Sequence, residues 1–135
     1  MDIKTNHTSE NRRAGDRIID APHVFIDIPG FIAQLKSEKS WDKNDRNGIT
    51  VFKSEDITIV ISAIKSGGLI HNKTKGFITL LVLDGEIQIS FDHVESKLGH
   101  NQAVVLHPGI MLSILAMSDT ILMLTTYNKS TPNIS

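Results

Sequence analysis

The chain of 135 residues contains no cysteine, few aromatic side chains and almost no net charge. Without cysteine, disulfide scaffolds, Cys-ligated zinc and thiol catalysis are all excluded. A formal net charge of −1 argues against a general binder of nucleic acid or anionic membranes. No apolar run approaches the ~20 residues that cross a bilayer, and no apolar stretch follows the N-terminal charges as in a secretory signal. We therefore expect a soluble cytoplasmic protein that binds neither nucleic acid nor membrane.

Apolar residues make up 40% of the chain, which is enough for one core, and the length suits one domain. These residues are sparse before residue 47 and dense from there to residue 127. The distribution predicts four segments: a flexible polar tail over 1–17, an N-terminal strand and short helix over 18–46, a β-barrel over 47–128, and a C-terminal tail over 129–135.

The segment before the barrel carries a helix signal. Residues 20–28 can form a short edge strand, since Pro22 is tolerated only at an edge or at the start of a strand. Asp27 can cap a helix that has a proline early in its first turn. Three apolar residues then mark one helical face, namely Phe31, Ile32 and Leu35. We expect Trp41 to pack against the barrel.

From residue 47 onward the pattern is that of β-strands. Short runs rich in β-branched residues recur, among them FITLLVL (77–83), IMLSILAM (110–117) and TILMLTTY (120–127). Turn signals such as Gly67-Gly68, Asp84-Gly85 and Pro108-Gly109 separate the runs at short, even intervals. No stretch between them is long enough for a crossover helix, so the pattern predicts a sandwich or barrel and not a parallel α/β sheet.

Two segments, GGLIHNKTKGFITLLVLDGEIQI (67–89) and LGHNQAVVLHPGIMLSI (98–114), resemble the cupin family. The upstream segment WDKNDRNGITVFK (41–53) is similar to small bacterial single-domain cupins in which a short helix precedes the barrel. The resemblance implies an all-β fold, a double-stranded β-helix (the cupin jelly-roll barrel) with one short N-terminal helix.

In the cupin motifs, three histidines and a glutamate hold a metal ion. Aligned on the family's glycines, His71, Lys73 and Ile78 stand at the first three ligand positions, and Leu112 stands at the fourth. Only His71 has an ordinary ligand side chain, since Ile78 and Leu112 offer no donor atom. The alignment therefore predicts no metal and no cofactor. Substitution by His107 or His100 from a neighbouring strand end is the alternative that stays open.

The same alignment points the apolar faces of two strands into the barrel. By period 2, Ile78 and Leu80 share one face, and Leu112 and Ile114 share another. Two interpretations of an apolar interior stay open: a core filled by side chains, or a lipophilic cavity for a small ligand.

A polar cluster over residues 71–75 adjoins these strands, and it is either a solvated loop or a site for a carboxylate or enolate. The candidate ligand-binding residues are His71, Asn72, Lys73, Ile78, Leu80, Leu112 and Ile114.

Three functions are compatible with this pattern. The first, which we favour, is a metal-free binding or sensor barrel for a small apolar or anionic organic ligand. The second is a cupin-type enzyme, a dioxygenase or isomerase, and the third is a dimeric structural or assembly module. An exposed sheet edge is normally covered, so we also expect a homodimer with residues 24–28 near its interface.

Overall fold

The computed structural model describes residues 4–5, 22–38, 41 and 43–127. The predicted tails over 1–17 and 129–135 lie outside these residues, apart from Lys4 and Thr5. In chain order the elements are β1 (Lys4–Thr5), β2 (Val24–Phe25), α1 (Ile28–Ser37), β3 (Arg46–Lys53), β4 (Ile57–Ile64), β5 (Leu69–Lys73), β6 (Phe77–Asp84), β7 (Ile87–Phe91), β8 (Val94–Leu98), β9 (Ala103–Leu106), β10 (Met111–Ala116) and β11 (Thr120–Tyr127).

Two antiparallel sheets face each other. The first has five strands in the order β3-β4-β11-β6-β9, and the second has four in the order β5-β10-β7-β8. The prediction of an all-β barrel preceded by one short helix is confirmed. Strands β5 and β8 were not predicted, because their sequences LIHNK and VESKL lack an apolar alternation.

The core between the two sheets is apolar. Alternation along each strand sends every second side chain inward, where hydrocarbon from both sheets meets. Its central members are at most 5% exposed, and each Val, Leu or Ile among them contributes about 1.5–3 kcal/mol by leaving water. They are Ile64, Leu80, Val82, Ile87, Ile89, Leu106, Leu112, Ile114, Ala116 and Leu122.

Helix α1 covers the outer face of β3 and β4. It begins after Asp27, whose side chain accepts a hydrogen bond of 3.2 Å from the amide of Gly30, and Pro29 lies in its first turn. Phe31 and Leu35 are buried against the sheet, as the pattern predicted. Among the described residues, no helix has the length and apolar character to cross a bilayer.

Trp41 lies beside this helix and packs on the same outer cluster, as expected, although it is only half-buried. The ammonium Nζ of Lys65 lies 4.9 Å from its ring centroid, within the range of a cation–π contact. The strand predicted over residues 20–28 is shorter in the structure: β2 has two residues, which pair in parallel with β1.

The connection between β6 and β7, which lie in different sheets, turns at Gly85, where the Asp84-Gly85 signal predicted a turn. The backbone there has φ +92°, and a Cβ atom would lie 2.5 Å from the carbonyl oxygen of Asp119. Both facts require glycine here, because other residues disfavour this φ and their Cβ atom would clash with the Asp119 backbone.

Candidate functional site

The pairing of β5 with β10 decides which polar residues face the barrel interior. Asn72 lies opposite Leu112, and Ile70 lies opposite Ile114. Directly opposed residues of an antiparallel pair share a face of the sheet. Leu112 and Ile114 are each 5% exposed in the core, so Ile70 and Asn72 face inward with them.

His71 and Lys73 lie on the opposite face of β5, toward solvent. The ring Nδ1 of His71 is 2.8 Å from the hydroxyl of Ser113, and both side chains belong to the outer face of the four-stranded sheet. Lys73 lies opposite Met111, which is 64% exposed. The alignment that put His71 and Lys73 at inward positions is therefore shifted by one residue. The loop interpretation of residues 71–73 is also wrong, because they form the end of β5.

The structure does bring the four apolar candidates together. Ile78 and Leu80 on β6 and Leu112 and Ile114 on β10 all face the interior at 5% exposure or less. Asn72 is the one polar candidate that points to the same side. The candidate set thus divides into an inward group of five residues and an outward pair. The role of the inward group in binding a ligand stays a prediction.

Among the described residues, the course of β5 leaves one corner of the interior uncovered. At its start, Nη2 of Arg46 on β3 donates a hydrogen bond of 2.8 Å to the carbonyl of Leu69. At its end, the hydroxyl of Thr74 donates one of 2.7 Å to the carbonyl of His107, just after β9. Strand β5 therefore runs from one edge of the five-stranded sheet to the other, and it does not reach the corner where β3 ends, β4 starts and β11 ends.

Burial agrees with this geometry. At the uncovered corner the inward-facing residues are half-buried, whereas Ile78 and Leu80 on the adjacent β6 are buried. Pairing places these residues on the interior face, since Leu124 lies opposite both Val60 and Leu80, and Thr126 lies opposite both Thr58 and Ile78. We call this region the open corner; its residues are Thr50, Thr58, Val60, Leu124 and Thr126.

A β-bulge brings a cation to the rim of the open corner. In β3, Thr50 pairs with Val60 and Phe52 pairs with Ile59, so Val51 is the extra residue. After the bulge, Lys53 lies opposite Thr58 and therefore shares its inward face. Without the bulge, alternation from Thr50 would turn Lys53 to the outside. No signal in the sequence marks this bulge, so sequence reasoning missed Lys53.

The corner thus combines an apolar floor with a polar rim. Half-buried Val60 and Leu124 supply the floor, while threonine hydroxyls and the exposed Lys53 ammonium lie around it. Such a set of groups can hold a small organic molecule by its hydrocarbon part and direct its polar end outward.

No protein-family model matches the chain, and no curated protein sequence matches it significantly. Solved structures do match it. A protein of unknown function from Rhizobium leguminosarum has 21% identity and a TM-score of 0.63, over 73% of this chain and 93% of that one. A cupin superfamily protein from Desulfitobacterium hafniense has 17% identity and a TM-score of 0.61, over 64% and 80%. The chain has the cupin fold. Salicylate 1,2-dioxygenase from Pseudoaminobacter salicylatoxidans has 14% identity and a TM-score of 0.62, over 72% of this chain and 33% of that one.

The residues of this chain do not fit the metal ion that the cupin motifs imply. The inward positions nearest the aligned ligands hold Asn72, Ile78 and Leu112, which together offer one amide. His107 is exposed and its ring centroid lies 4.7 Å from that of Phe77. Nδ1 of His100 lies 2.8 Å from the carbonyl oxygen of Leu83. Over residues 22–38 and 43–127, no three His, Asp or Glu side chains are grouped as metal ligands.

Proposed function

We propose that this cupin binds a small organic molecule at the open corner, without a metal ion. The observation that carries the proposal is the half-buried interior surface left where β5 does not cover β3, β4 and β11. The ligand has an apolar body, which lies against Val60 and Leu124, and a polar or anionic end, which meets the threonine hydroxyls and Lys53. The inward side chains there are apolar, hydroxyl and ammonium groups.

The affinity of such a ligand comes mainly from its hydrocarbon part. Each methylene group removed from water contributes about 0.8 kcal/mol. Lys53 is exposed, and an exposed ion pair contributes only about 0.2–1 kcal/mol. We therefore expect Lys53 to set a modest preference for anions and the apolar floor to set most of the binding strength.

We favour binding over catalysis because of the side chains that face the open corner. General acid–base catalysis needs a group that exchanges a proton near neutral pH. None of the inward-facing residues described at the corner is His, Asp or Glu. Fold similarity to a dioxygenase does not supply the missing group, because one fold carries many functions.

The test uses two probes of equal chain length, octanoate and 1-octanol, titrated into the ¹⁵N-labelled protein. We expect amide shifts at Thr50, Val60 and Thr126 with both probes. The variant Lys53→Met should raise the dissociation constant of octanoate about two- to fivefold, because it removes one exposed ion pair. The dissociation constant of 1-octanol, which has no charge, should not change.

Lys73→Met is the matched control, since this lysine lies on the outer face of β5 and should change neither probe. Failure of both probes to shift residues of the open corner at millimolar concentration would overturn the proposal. If both variants weakened octanoate binding equally, Lys53 would have no specific role in the site, and only the binding at the open corner would stand.

A further inference from the structure

Strand β3 contains the dipeptide Asn47-Gly48, and Asn47 is the only asparagine of the chain that a glycine follows. The side-chain Oδ1 of Asn47 accepts a hydrogen bond of 3.0 Å from the backbone nitrogen of Gly48. Because Oδ1 is bonded to the side-chain carbon Cγ, this contact holds the Gly48 nitrogen beside Cγ. Glycine has no Cβ atom, so nothing on Gly48 itself hinders a closer approach.

Strand pairing turns the backbone N–H of Gly48 away from the sheet. Strand β3 is at the edge of the five-stranded sheet. The backbone N–H of Lys65 donates to the carbonyl of Asp45 at 2.8 Å, and Asn47, two residues further along β3, lies opposite Ala63. Hydrogen-bonded pairs alternate along an antiparallel ladder, so Asn47 directs its backbone groups toward β4 and Gly48 directs its own away from β4. Gly48 is exposed, and water therefore reaches its nitrogen.

The side-chain Nδ2 of Asn47 joins the end of α1 to β3. It donates hydrogen bonds to the carbonyl of Leu35 at 3.1 Å and to Oε1 of Glu38 at 2.9 Å. The Leu35 carbonyl is one of the last four of α1, which have no partner inside the helix. Both acceptors need an N–H donor, which a carboxamide supplies and a carboxylate does not.

We propose that Asn47-Gly48 is a site of spontaneous deamidation, and that the reaction releases the end of α1 from β3. The Gly48 nitrogen loses its proton and attacks Cγ of Asn47, so that an N–Cγ bond forms, the Cγ–Nδ2 bond breaks and Nδ2 leaves with a proton as ammonia. Water then opens the cyclic succinimide at either of its two carbonyl groups, which gives aspartate or isoaspartate at position 47. Water is the only co-reactant.

Either product has a carboxylate in place of the carboxamide. A carboxylate cannot donate to the Leu35 carbonyl, and it is repelled by the carboxylate of Glu38. A negative charge is also unfavourable at the C-terminal end of a helix. Isoaspartate in addition lengthens the main chain of β3 by one carbon atom, which disturbs the pairing with β4. After deamidation α1 therefore separates from the sheet more often and exposes Phe31 and Leu35, which it buries there.

Incubation of the full chain under mildly alkaline conditions, followed by digestion with pepsin in acid and mass spectrometry, measures the loss of each side-chain amide. We expect position 47 to react first and to give two peptides of equal mass, one with aspartate and one with isoaspartate. Asn72 is the internal control, because it is exposed and its Oδ1 accepts a hydrogen bond of 2.8 Å from the backbone nitrogen of Lys73, which is not a glycine. Asn72 should react at least about tenfold more slowly, a difference of about 1.4 kcal/mol in activation free energy.

The variant Gly48→Ala tests the role of the glycine. The φ of Gly48 lies outside the left-handed region, and a Cβ atom would lie 3.3 Å from Oγ of Ser62, a side-chain atom that can move, so the variant should fold. Deamidation at position 47 should be about tenfold slower or more in this variant. The site would be overturned if Asn47 reacted no faster than Asn72, or if Gly48→Ala reacted as fast as the unmodified chain.

The variant Asn47→Asp tests the release of α1. Hydrogen exchange at the backbone amides of Phe31 and Leu35 should be about tenfold faster in this variant, the effect of losing one buried hydrogen bond. Asn44→Asp is the matched control, since it adds the same charge at an exposed position three residues away and should leave this exchange unchanged. Unchanged exchange in Asn47→Asp, or an equal increase in both variants, would refute the release of α1. If Asn47→Asp does not fold, exchange in the deamidated fraction of the incubated chain makes the same measurement.

Discussion

Thr74 joins the two turns that determine where β5 ends, and its hydroxyl is the most informative single group to remove. The residue is 2% exposed. Its Oγ1 donates to the carbonyl of His107 at 2.7 Å and accepts from the amide of Ile110 at 2.8 Å. Its backbone N–H donates a hydrogen bond to the carbonyl of Ile110 at 2.9 Å, and its backbone carbonyl accepts one from the amide of Gly109 at 2.7 Å.

The variant Thr74→Val keeps the shape of the side chain and removes the hydroxyl. Two backbone groups then lose their partner, and an unsatisfied buried polar group costs about 1–3 kcal/mol. His107 is exposed and water can reach its carbonyl, whereas Ile110 is half-buried. We therefore expect a loss of about 2–3 kcal/mol in the free energy of unfolding. Thr74→Ser keeps the hydroxyl and loses one methyl group, which should cost only about 1 kcal/mol.

Urea denaturation of the three proteins measures these differences, and hydrogen exchange at the Ile110 amide locates them. Thr74→Val should speed exchange at Ile110, because the amide of Ile110 loses its acceptor. The reasoning is refuted if Thr74→Val is as stable as the unmodified chain, or if Thr74→Ser loses as much stability as Thr74→Val.

Two further changes test the helix contact and the start of β3. Leu35→Ala removes a fully buried side chain from α1 and should lower the free energy of unfolding, measured by urea denaturation, by about 2–5 kcal/mol. Lys36→Ala, on the exposed side of the same helix, should change it by less than about 0.5 kcal/mol. A hydrogen bond from Arg46 lowers the pKa of Asp45 below its usual value of 3.8. Ionised Asp45 therefore stabilises the folded state at pH values above 3.8, and this stabilisation is lost as the pH falls through the lowered pKa. Asp45→Asn should thus be slightly less stable than the unmodified chain at pH 6 and equal to it in strong acid; a stability difference that grows toward acid would contradict this.

Much of the fold follows from local pattern. The sequences of β6, β10 and β11 are rich in β-branched and apolar residues, as is typical of strands. The turn at Gly85 needs a positive φ, which glycine adopts easily. The cap at Asp27 and the buried residues of α1 follow from the spacing of the residues in the same way. These features depend on neighbours within a few positions, so the sequence by itself determined them, and with them the apolar character of the barrel interior.

The candidate site depended on contacts between distant strands. The inward direction of Asn72 follows from its pairing with Leu112, forty residues away along the chain, and a shift of one residue would have turned His71 inward. Lys53 reaches the open corner only because Val51 forms a bulge against β4. Helix α1 packs over the outer face of β3 and β4, and among the described elements none packs on the outer face of β6 and β9. Register, bulges and packing of layers are decided by the free energy of the whole assembled barrel, and for polar strands such as β5 no alternation in the sequence reports that choice.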